Sequence, residues 1–599
     1  MIKKSVAVAI GLAVTSLFGS ALAENHKHQD DLSLCGHETE DSMEIRAQAS
    51  LKSYWVDARA ANPNSWARAK LLGFNDFHGA LEQRSLFGRP VGGAAVLGAY
   101  LDAASQTADD GAIIIHAGDH VGAAPPISAL LQDEPSIDFL NMLGNGQCNA
   151  GNKANPNCNL VGTLGNHEFD EGASEMLRLI NGGNHQNGPF LDQQYSGTTF
   201  PYVNANAVYQ ENGKPLLPPY VIKRVKGMPV GIIGLVLKET PSVVTPTGVA
   251  GIEFLDEAET IKKYVKELNA KGVHAIVVTI HQGTSQRSYG GQTSDDPVDV
   301  GGSIGPIISK LDDDVDVVIS GHWHSFTNAL MPNENGKLIL VTQAFSNGTA
   351  FTDIDIAIDP RSKDIVEKSA AVVTTWADEG PGLSPREDIA GMVATAADRV
   401  APLIAEVIGQ AADDITRTTT AAGESALGNL IADAQRSATG ADIAFMNSGG
   451  IRADIEFGEV TWGDLFTVQP FGNDLVTMTL SGQQIVDFLN QQWRGQASAR
   501  IVKPSGLTYT WDGKNTDDFS DDEVVLDSVM VNGVALDLTA DYRVTANSFM
   551  AAGGDGYSTL ALGTDRVIGQ VDLDALIDYI KGLPSPFNYG IEGRIARIN

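Results

Sequence analysis

Short apolar runs recur along the chain from Ala69, and five of them end in a compact polar or glycine-rich turn. Apolar runs bounded by turns are typical of buried β-strands. The segments between them carry apolar residues at helical spacing, as at 94–106 and 256–272. Strands that alternate with helices predict an α/β domain. The five runs are AKLLGF, AIIIHA, NLVGTL, HAIVVTI and VDVVIS.

Polar side chains that can bind metals follow each of these five runs. In open α/β sheets, ligand and catalytic groups collect at the carboxyl ends of the strands, so we expect the five turns to meet. Their carboxylate, amide and imidazole groups suit zinc, manganese or a similar divalent ion. Each of these residues alone is more often structural, but the succession of clusters favours a metal site. The candidate ligands are Asp76, His78, Asp119, Asn166, His281, His322 and His324.

The pattern changes after the strand-like segment 352–360. Pro and Gly in 379–388 indicate a linker, and 389–410 predicts a connecting helix that is interrupted near Pro402. A second region with helices and strands follows, and its acidic stretch 512–523 predicts a solvated loop. We therefore expect five segments. They are a signal sequence (1–23), an N-terminal extension (24–68), a catalytic domain (69–378), a linker with a connecting helix (379–405) and a substrate-binding domain (406–599).

The first residues have the order of a secretory signal. Lys3 and Lys4 precede an apolar segment that ends in Ala21-Leu22-Ala23, and we expect cleavage after Ala23. The alternative is an uncleaved anchor, but the apolar segment is shorter than a typical spanning helix. The sequence thus predicts a periplasmic or secreted protein without a stable membrane anchor.

Two of the three cysteines fit an oxidising compartment. Cys148 and Cys158 bracket a polar loop and could form a disulfide, which would leave Cys35 unpaired. The formal charge of -33 argues against a nucleic-acid polymer or an anionic membrane as partner. An acidic protein that handles anionic substrates needs local positive charge, so we expect metals and a few arginines at its site.

The motifs of the first region, in chain order, are NDFHG, GDHVGAAP, GNHEFD, HQG and GHWH. Together they resemble the metallophosphoesterases. NSGGIRADI, QPFGND and NSFMAAGGDGY extend the resemblance to the secreted two-domain 5'-nucleotidase family, which includes 2',3'-cyclic phosphodiesterases and UDP-sugar hydrolases. The resemblance covers about residues 69–599. It implies an α/β protein with a four-layer α/β/β/α sandwich and a C-terminal α/β substrate-binding domain.

The resemblance also implies two divalent metal ions and a role for each ligand. Asp76, His78 and His324 would hold one ion, Asn166, His281 and His322 would hold the other, and Asp119 would bridge them. A metal-activated hydroxide would then attack the phosphorus in line. His167 would contact the phosphate oxygens or assist the leaving group, and Asp170 would orient His167.

In the second domain, the resemblance implies a nucleotide pocket. Phe471 and Phe549 would sandwich the base, although a lone Phe is more often part of a core. Arg452 would bind phosphate, with a surface salt bridge as its alternative role. Asp555 would accept hydrogen bonds from the ribose, and Asn447 and Gly450 would lie near the base or sugar.

One departure from the family affects the substrate. Members commonly have a second arginine shortly before the E-x-x-x-G-N-L segment, but Ala421, Ala422 and Gly423 stand there, and Arg417 is in a different register. A cyclic nucleotide, a nucleotide sugar or a diphosphate therefore remains open beside a nucleoside monophosphate. Two further alternatives are sulfur-ester hydrolysis, as in the related thiosulfohydrolases, and a non-catalytic surface binding protein. We also expect a hinge near the linker to bring the two domains together.

Overall fold

Two β-sheets packed face to face form the centre of the first domain. The computed structural model describes residues 66–288, 291–295, 300–496, 498–514 and 518–599, so the expected signal sequence and Cys35 lie outside the described residues. The strands of the two sheets are β1 (Ala67–Phe74), β2 (Ala112–His116), β3 (Leu160–Gly162), β4 (Tyr220–Val225), β5 (Met228–Val236), β6 (Ala275–His281), β7 (Val315–Ser320), β8 (Phe326–Pro332), β9 (Leu338–Ala344), β10 (Ala350–Ile358) and β11 (Ile365–Thr374).

The strand order places all five ligand-bearing turns at strand ends. The first sheet has the order β11-β10-β1-β2-β3, and the second has the order β8-β9-β7-β6-β5-β4. Strands β1, β2 and β3 are parallel, and so are β5, β6, β7 and β9. Parallel strands end at the same edge of a sheet, so each sheet collects its polar turns on one edge.

Helices cover the outer face of each sheet and complete the α/β/β/α sandwich that the sequence predicts. The alternation along β1 shows how the layers arise, since Leu71 faces the second sheet while Leu72 and Phe74 face the helices. The helices on the first sheet are α1 (Ala94–Ser105), α2 (Glu134–Leu143) and α3 (Ala173–Asn181), and those on the second are α4 (Glu257–Ala270) and α5 (Ile304–Ser309).

The connecting helix α6 (Glu387–Ile404) packs on the first domain. Its residues Ile389, Ala396 and Val400 are buried in the same apolar core as α1 and α2. The predicted helical extension to residue 410 is wrong, because the chain leaves the helix two residues after Pro402 and forms the strand β12 (Val407–Ala411). Proline clashes with the preceding turn and donates no hydrogen bond, which explains the end of the helix.

A five-stranded sheet forms the centre of the second domain. The main strands of this domain after β12 are β13 (Ile443–Met446), β14 (Gly458–Thr461), β15 (Asp474–Ser481), β16 (Lys503–Ser505), β17 (Leu507–Asp512), β18 (Asp541–Asn547), β19 (Thr564–Val571) and β20 (Ile595–Ile598). Its longer helices are α7 (Ala426–Thr439), α8 (Trp462–Val468), α9 (Gly482–Asn490) and α10 (Asp572–Gly582). The central sheet has the order β16-β13-β18-β15-β19. Serines cap two of the helices, Ser425 on α7 and Ser481 on α9, by accepting backbone hydrogen bonds.

Cys148 and Cys158 form a disulfide across the polar loop that follows α2. Such a bond restricts the unfolded chain and thereby stabilises the fold. Among the described residues, none of the helices has the length and apolar character needed to cross a membrane.

Candidate functional site

The candidate metal ligands from both sheets meet where the sheets present their strand ends. Each side chain sits in the turn after a strand or on the last residue of one. Six of the seven are almost fully buried, and His324 is partly exposed. From the first sheet come Asp76 and His78 after β1, Asp119 after β2 and Asn166 after β3; from the second come His281 at the end of β6 and His322 and His324 after β7.

One set of ligand atoms consists of Asp76, His78 and His324. The Nε2 atom of His324 lies 3.2 Å from Asp76 Oδ1 and 3.2 Å from His78 Nε2. His78 Nε2 lies 4.0 Å from Asp76 Oδ1. A carboxylate oxygen and two imidazole nitrogens so close together can hold one divalent ion.

A second set lies next to the first and contains Asp119, whose carboxylate also approaches His78 of the first set. Asp119 Oδ2 is 2.9 Å from His281 Nε2 and 3.9 Å from His78 Nε2. His322 completes this set. Within the described ranges, His322 Nε2 and Asn166 Oδ1 are buried and have no hydrogen-bond partner, which is costly unless a ligand satisfies them. The donor set therefore fits a second cation.

The backbone is strained at these turns. Left-handed φ angles between 49° and 80° occur at Asp76, His78, Asp119, His322 and His324. Residues other than glycine reach this region at a cost of order 1 kcal/mol or more, so the surroundings must hold them there. The Asp76 carboxylate contributes by accepting the backbone N–H of His322 at 2.9 Å. Strain of this kind is typical of functional sites.

Backbone carbonyls fix the orientation of two of the histidines. His78 Nδ1 lies 2.9 Å from the carbonyl oxygen of Gly122, and His281 Nδ1 lies 2.7 Å from that of Ala117. A carbonyl only accepts, so each Nδ1 carries the proton. Each Nε2 then faces the ligand cluster, where a bound metal would use its lone pair, and the carbonyl contacts orient the rings as second-shell contacts do in metal sites.

The pKa of each titratable group in the cluster depends on burial and on the charges of its neighbours. Burial raises the pKa of Asp76, but His324 and His281 outweigh burial and bring the pKa down to about 2. Burial lowers the pKa of His281, but Asp119 and Asp76 outweigh it and bring the pKa up to about 9. Two buried carboxylates thus require nearby positive charge, which divalent ions can provide.

His167 lies beside the ligand cluster. Its backbone N–H donates to Asp119 Oδ1 at 2.8 Å, and its ring stands edge-on to His78 with centroids 5.0 Å apart. Its Nδ1 lies 2.7 Å from Asp170 Oδ2, in hydrogen-bonding contact. This contact with Asp170 holds the ring of His167 in place.

Glu168 connects two ligand-bearing turns, and sequence reasoning missed it. Its carboxylate accepts the backbone N–H groups of Gly165 (2.5 Å), Asp119 (3.0 Å) and His120 (2.8 Å). Burial, together with the charge of Asp119, raises its pKa to about 7. The sequence shows only a single glutamate inside GNHEFD, and the three backbone groups that donate to it cannot be identified from the motif.

Asn447, Gly450 and Asp555 come together in the second domain. Asn447 Nδ2 donates to Asp555 Oδ2 at 2.8 Å, and Asn447 Oδ1 accepts from Asn547 at 3.0 Å. Gly450 is buried beside them, and a Cβ atom there would lie 2.5 Å from Met446 Cε and 2.9 Å from Asn447 Oδ1. A larger residue at position 450 would therefore require the side chains of Met446 and Asn447 to move.

Phe471 brings the second domain against the first. Its ring stacks on His167 with centroids 5.9 Å apart and an interplanar angle of 19°, and the Arg452 guanidinium lies 5.9 Å from its centroid. Phe549 packs over Gly554, and its backbone N–H donates to Asn473 at 3.3 Å. The base sandwich between the two phenylalanines stays a prediction.

Two further arginines contact candidate substrate-binding residues of the second domain, Arg452 and Asp555. Arg417 lies beside Arg452, because its Nη1 donates to the carbonyl of Arg452 at 3.0 Å. Arg500, which sequence reasoning missed, donates from Nη1 to Asp555 at 2.5 Å. Position 421 is an exposed alanine.

Two family models match the chain, one for each domain. Calcineurin-like phosphoesterase matches residues 69–326, and the 5'-nucleotidase C-terminal domain matches residues 407–562. The cell wall protein Lmo0130 of Listeria monocytogenes is 36% identical over 549 residues, which are 86% of this chain and 67% of the relative. The chain belongs to the calcineurin-like phosphoesterases with a 5'-nucleotidase C-terminal domain.

Two other proteins are similar to this two-domain phosphoesterase. The endonuclease YhcR of Bacillus subtilis is 36% identical over 574 residues, which are 93% of this chain but only 43% of that protein's length. The solved 5'-nucleotidase precursor of Thermus thermophilus aligns with a TM-score of 0.72 and 29% identity, covering 89% of this chain and 99% of its own. The family consists of metal-dependent phosphoester hydrolases, and the Asp and His cluster of the phosphoesterase is able to bind metal.

Proposed function

We propose that the protein is an exported phosphohydrolase that releases phosphate from nucleotides with two divalent metal ions. The proposal rests on Asp119, whose carboxylate lies 2.9 Å from His281 Nε2 in one set and 3.9 Å from His78 Nε2 in the other. Asp76, His78 and His324 would hold one ion, while Asn166, His281 and His322 would hold the other, and Asp119 would contact both. Ions held there supply Lewis acidity and neutralise the charge of a phosphate ester.

His167 would act on the phosphate as a hydrogen-bond donor or as the acid that protonates the leaving oxygen. Its place beside His78 and Asp119 supports this role. Asp170 is the positioning residue, because its hydrogen bond to Nδ1 holds the ring and stabilises the protonated form. Arg452 would neutralise phosphate charge. It lies close enough to the cluster for its positive charge to add to burial, the main cause, in lowering the pKa of His78.

The second domain would bind the nucleoside part of the substrate. Asn447 and Asp555 form a polar pair that suits ribose hydroxyls, and Phe471 offers an aromatic face for a base. Because Phe471 lies against His167, a base that takes the place of His167 on this ring would have its phosphate close to the ligand cluster.

Export is supported by three independent features. The chain starts with a signal-like segment, the relative Lmo0130 is named a cell wall protein, and Cys148 and Cys158 form a disulfide. Disulfides persist mainly in oxidising compartments.

A panel of nucleotides assayed with several divalent metals tests the proposed function. We expect metal-dependent phosphate release that a chelator abolishes.

His167→Asn should keep the bound metal but lower turnover about 100-fold or more, which is the usual contribution of an acid–base residue. The matched control is His185→Asn, because His185 is partly exposed and its ring lies against Phe190, outside the ligand cluster. Unchanged turnover in His167→Asn would remove His167 from the mechanism. Bound metal without release from any nucleotide would favour a binding protein or a sulfur-ester hydrolase.

A further inference from the structure

Arg500 lies in the loop between α9 and β16, where its backbone is fixed on both sides. Its N–H donates to the carbonyl of Gln492 at 2.8 Å, and its carbonyl accepts from the Tyr557 hydroxyl at 2.6 Å. The residue is only 9% exposed. Because a guanidinium stays charged at all accessible pH values, a buried one needs anionic partners.

The guanidinium has unused donors beside Asp555 and Asn447, the pair proposed above to bind the ribose. Nη1 donates to Asp555 Oδ1 at 2.5 Å. Nε is buried and has no hydrogen-bond partner within the part of the chain that the structure describes. An arginine has five N–H donors in a rigid fork that matches the oxygens of a phosphate. Arg500 is therefore equipped to bind an anion in addition to Asp555.

Asp555 is already neutralised and hydrogen-bonded within the protein. One oxygen accepts from Arg500, and the other accepts from Asn447 at 2.8 Å. A lone carboxylate at this position would repel a phosphate on the sugar. A carboxylate paired with a guanidinium removes most of this repulsion, so the sugar edge of the pocket tolerates negative charge.

The arginines are also distributed differently from the family pattern. On the side of the metal ligands, Arg452 remains and position 421 is an alanine. At the sugar edge, Arg500 adds a buried positive charge. This distribution suits a substrate whose second anionic group is on the ribose rather than next to the reacting phosphate.

We propose that Arg500, with Asp555 and Asn447, forms an anion subsite for nucleotides that carry a second phosphate on the ribose 2'- or 3'-oxygen. The proposal rests on the nucleotidase function proposed above. In the reaction, water adds to the 5'-phosphorus and the bond from phosphorus to the 5'-oxygen breaks. The 5'-oxygen leaves with a proton, and the products are orthophosphate and a nucleoside 2'- or 3'-monophosphate.

Adenosine 5'-monophosphate and adenosine 3',5'-bisphosphate share the same scissile bond and provide the test. We expect the native protein to cleave the bisphosphate at least as efficiently as the monophosphate, measured as kcat/KM. Arg500→Gln should lower the ratio of the two kcat/KM values about tenfold or more, since charge-assisted hydrogen bonds are lost. Arg500→Lys should retain part of the preference. The control Arg494→Gln, on an arginine that is 57% exposed, should leave the ratio unchanged.

Several results would overturn the subsite. An equal loss for both substrates in Arg500→Gln would mean that Arg500 only holds Asp555. A native protein that rejects the bisphosphate, or that releases its 3'-phosphate first, would overturn the subsite without any variant. If neither substrate is hydrolysed, the nucleotidase proposal fails, and calorimetry on the native protein decides the subsite. Tighter binding of the bisphosphate than of the monophosphate would support it, and equal binding would overturn it.

Discussion

Glu168 holds the turns that present Asp119 and Asn166 to the metal cluster. Its three backbone donors come from both turns, so one carboxylate fixes their spacing. Glutamine at this position would offer one acceptor oxygen and would point an NH2 group at the remaining N–H donors. The consequence would be unpaired backbone groups in a buried place, beside residues that already have strained φ angles.

We therefore predict that Glu168→Gln weakens both the fold and the metal site. Each unsatisfied buried group costs about 1–3 kcal/mol, and loss of a supporting contact lowers metal affinity about 10- to 100-fold. Thermal unfolding and competition with a chelator would measure the two effects. Glu211→Gln, on an exposed loop, is the control and should change neither. Metal retention equal to that of the native protein would contradict the role of Glu168.

The sequence indicates the candidate metal ligands but not the residues that support them through hydrogen bonds. Asp76, Asp119 and the histidines follow apolar runs, and strand ends collect ligands, so their meeting could be predicted. Glu168 could not be found in this way, because its partners are backbone groups of its own turn and of the turn after β2. Arg500 and Asp555 are 55 residues apart in sequence, and their contact depends on how α9, β16 and β18 pack.

At the level of elements, the N-terminus of α10 holds the segment that carries Phe471. The backbone N–H of Asp572 donates to the carbonyl of Asn473 at 2.8 Å, and Gln469 Nε2 lies 3.4 Å from Asp572 Oδ2. Asp572 is buried, and burial raises its pKa from 3.8 to about 7. The segment that carries Phe471 is thus held by the Asp572 carboxyl group, whose neutral form is favoured by burial.

This raised pKa gives a pH dependence of stability with a definite sign. Between pH 3.8 and about pH 7 the unfolded state releases the proton of Asp572 while the folded state keeps it, so stability falls as pH rises through this window. Asp572→Asn removes this dependence. We predict that the stability of the variant relative to the native protein increases by about 2–4 kcal/mol from pH 4 to pH 8.

Thermal unfolding at a series of pH values would measure this change. Asp574→Asn is the control, because Asp574 lies exposed in the same first turn of α10. Parallel pH profiles of Asp572→Asn and the native protein would contradict the prediction.

The end of α6 shows which element could not be predicted from the sequence. The residues after Pro402 continue an apolar pattern that also fits a helix, and short apolar runs do not distinguish the two structures. In the folded protein, β12 pairs with β14. Within β12, Ile408 and Ala411 are buried and Val407 is exposed. The partner strand lies about fifty residues further along the chain, so the choice is made by tertiary structure.

At the level of the whole molecule, the stack of Phe471 on His167 closes the space where the nucleotide would bind. A base that stacks on Phe471 must first separate the two rings. We therefore predict that the domains open and close about the segment near α6 during turnover. Small-angle scattering of the native protein should show a larger radius of gyration with a non-hydrolysable nucleotide analogue than without it, because the bound base separates the two rings. Identical profiles would contradict a large movement of the domains.

Helix α6 also decides how the protein can be divided for separate study. Its side chains Ile389, Ala396 and Val400 fill the core beneath α1 and α2, although the helix follows the last strand of the first domain. A fragment that stops at residue 378 would leave an apolar cleft open to water and would be prone to aggregate. A fragment that continues through Ile404 keeps this cleft filled. Expression of isolated halves therefore requires the division to fall between α6 and β12.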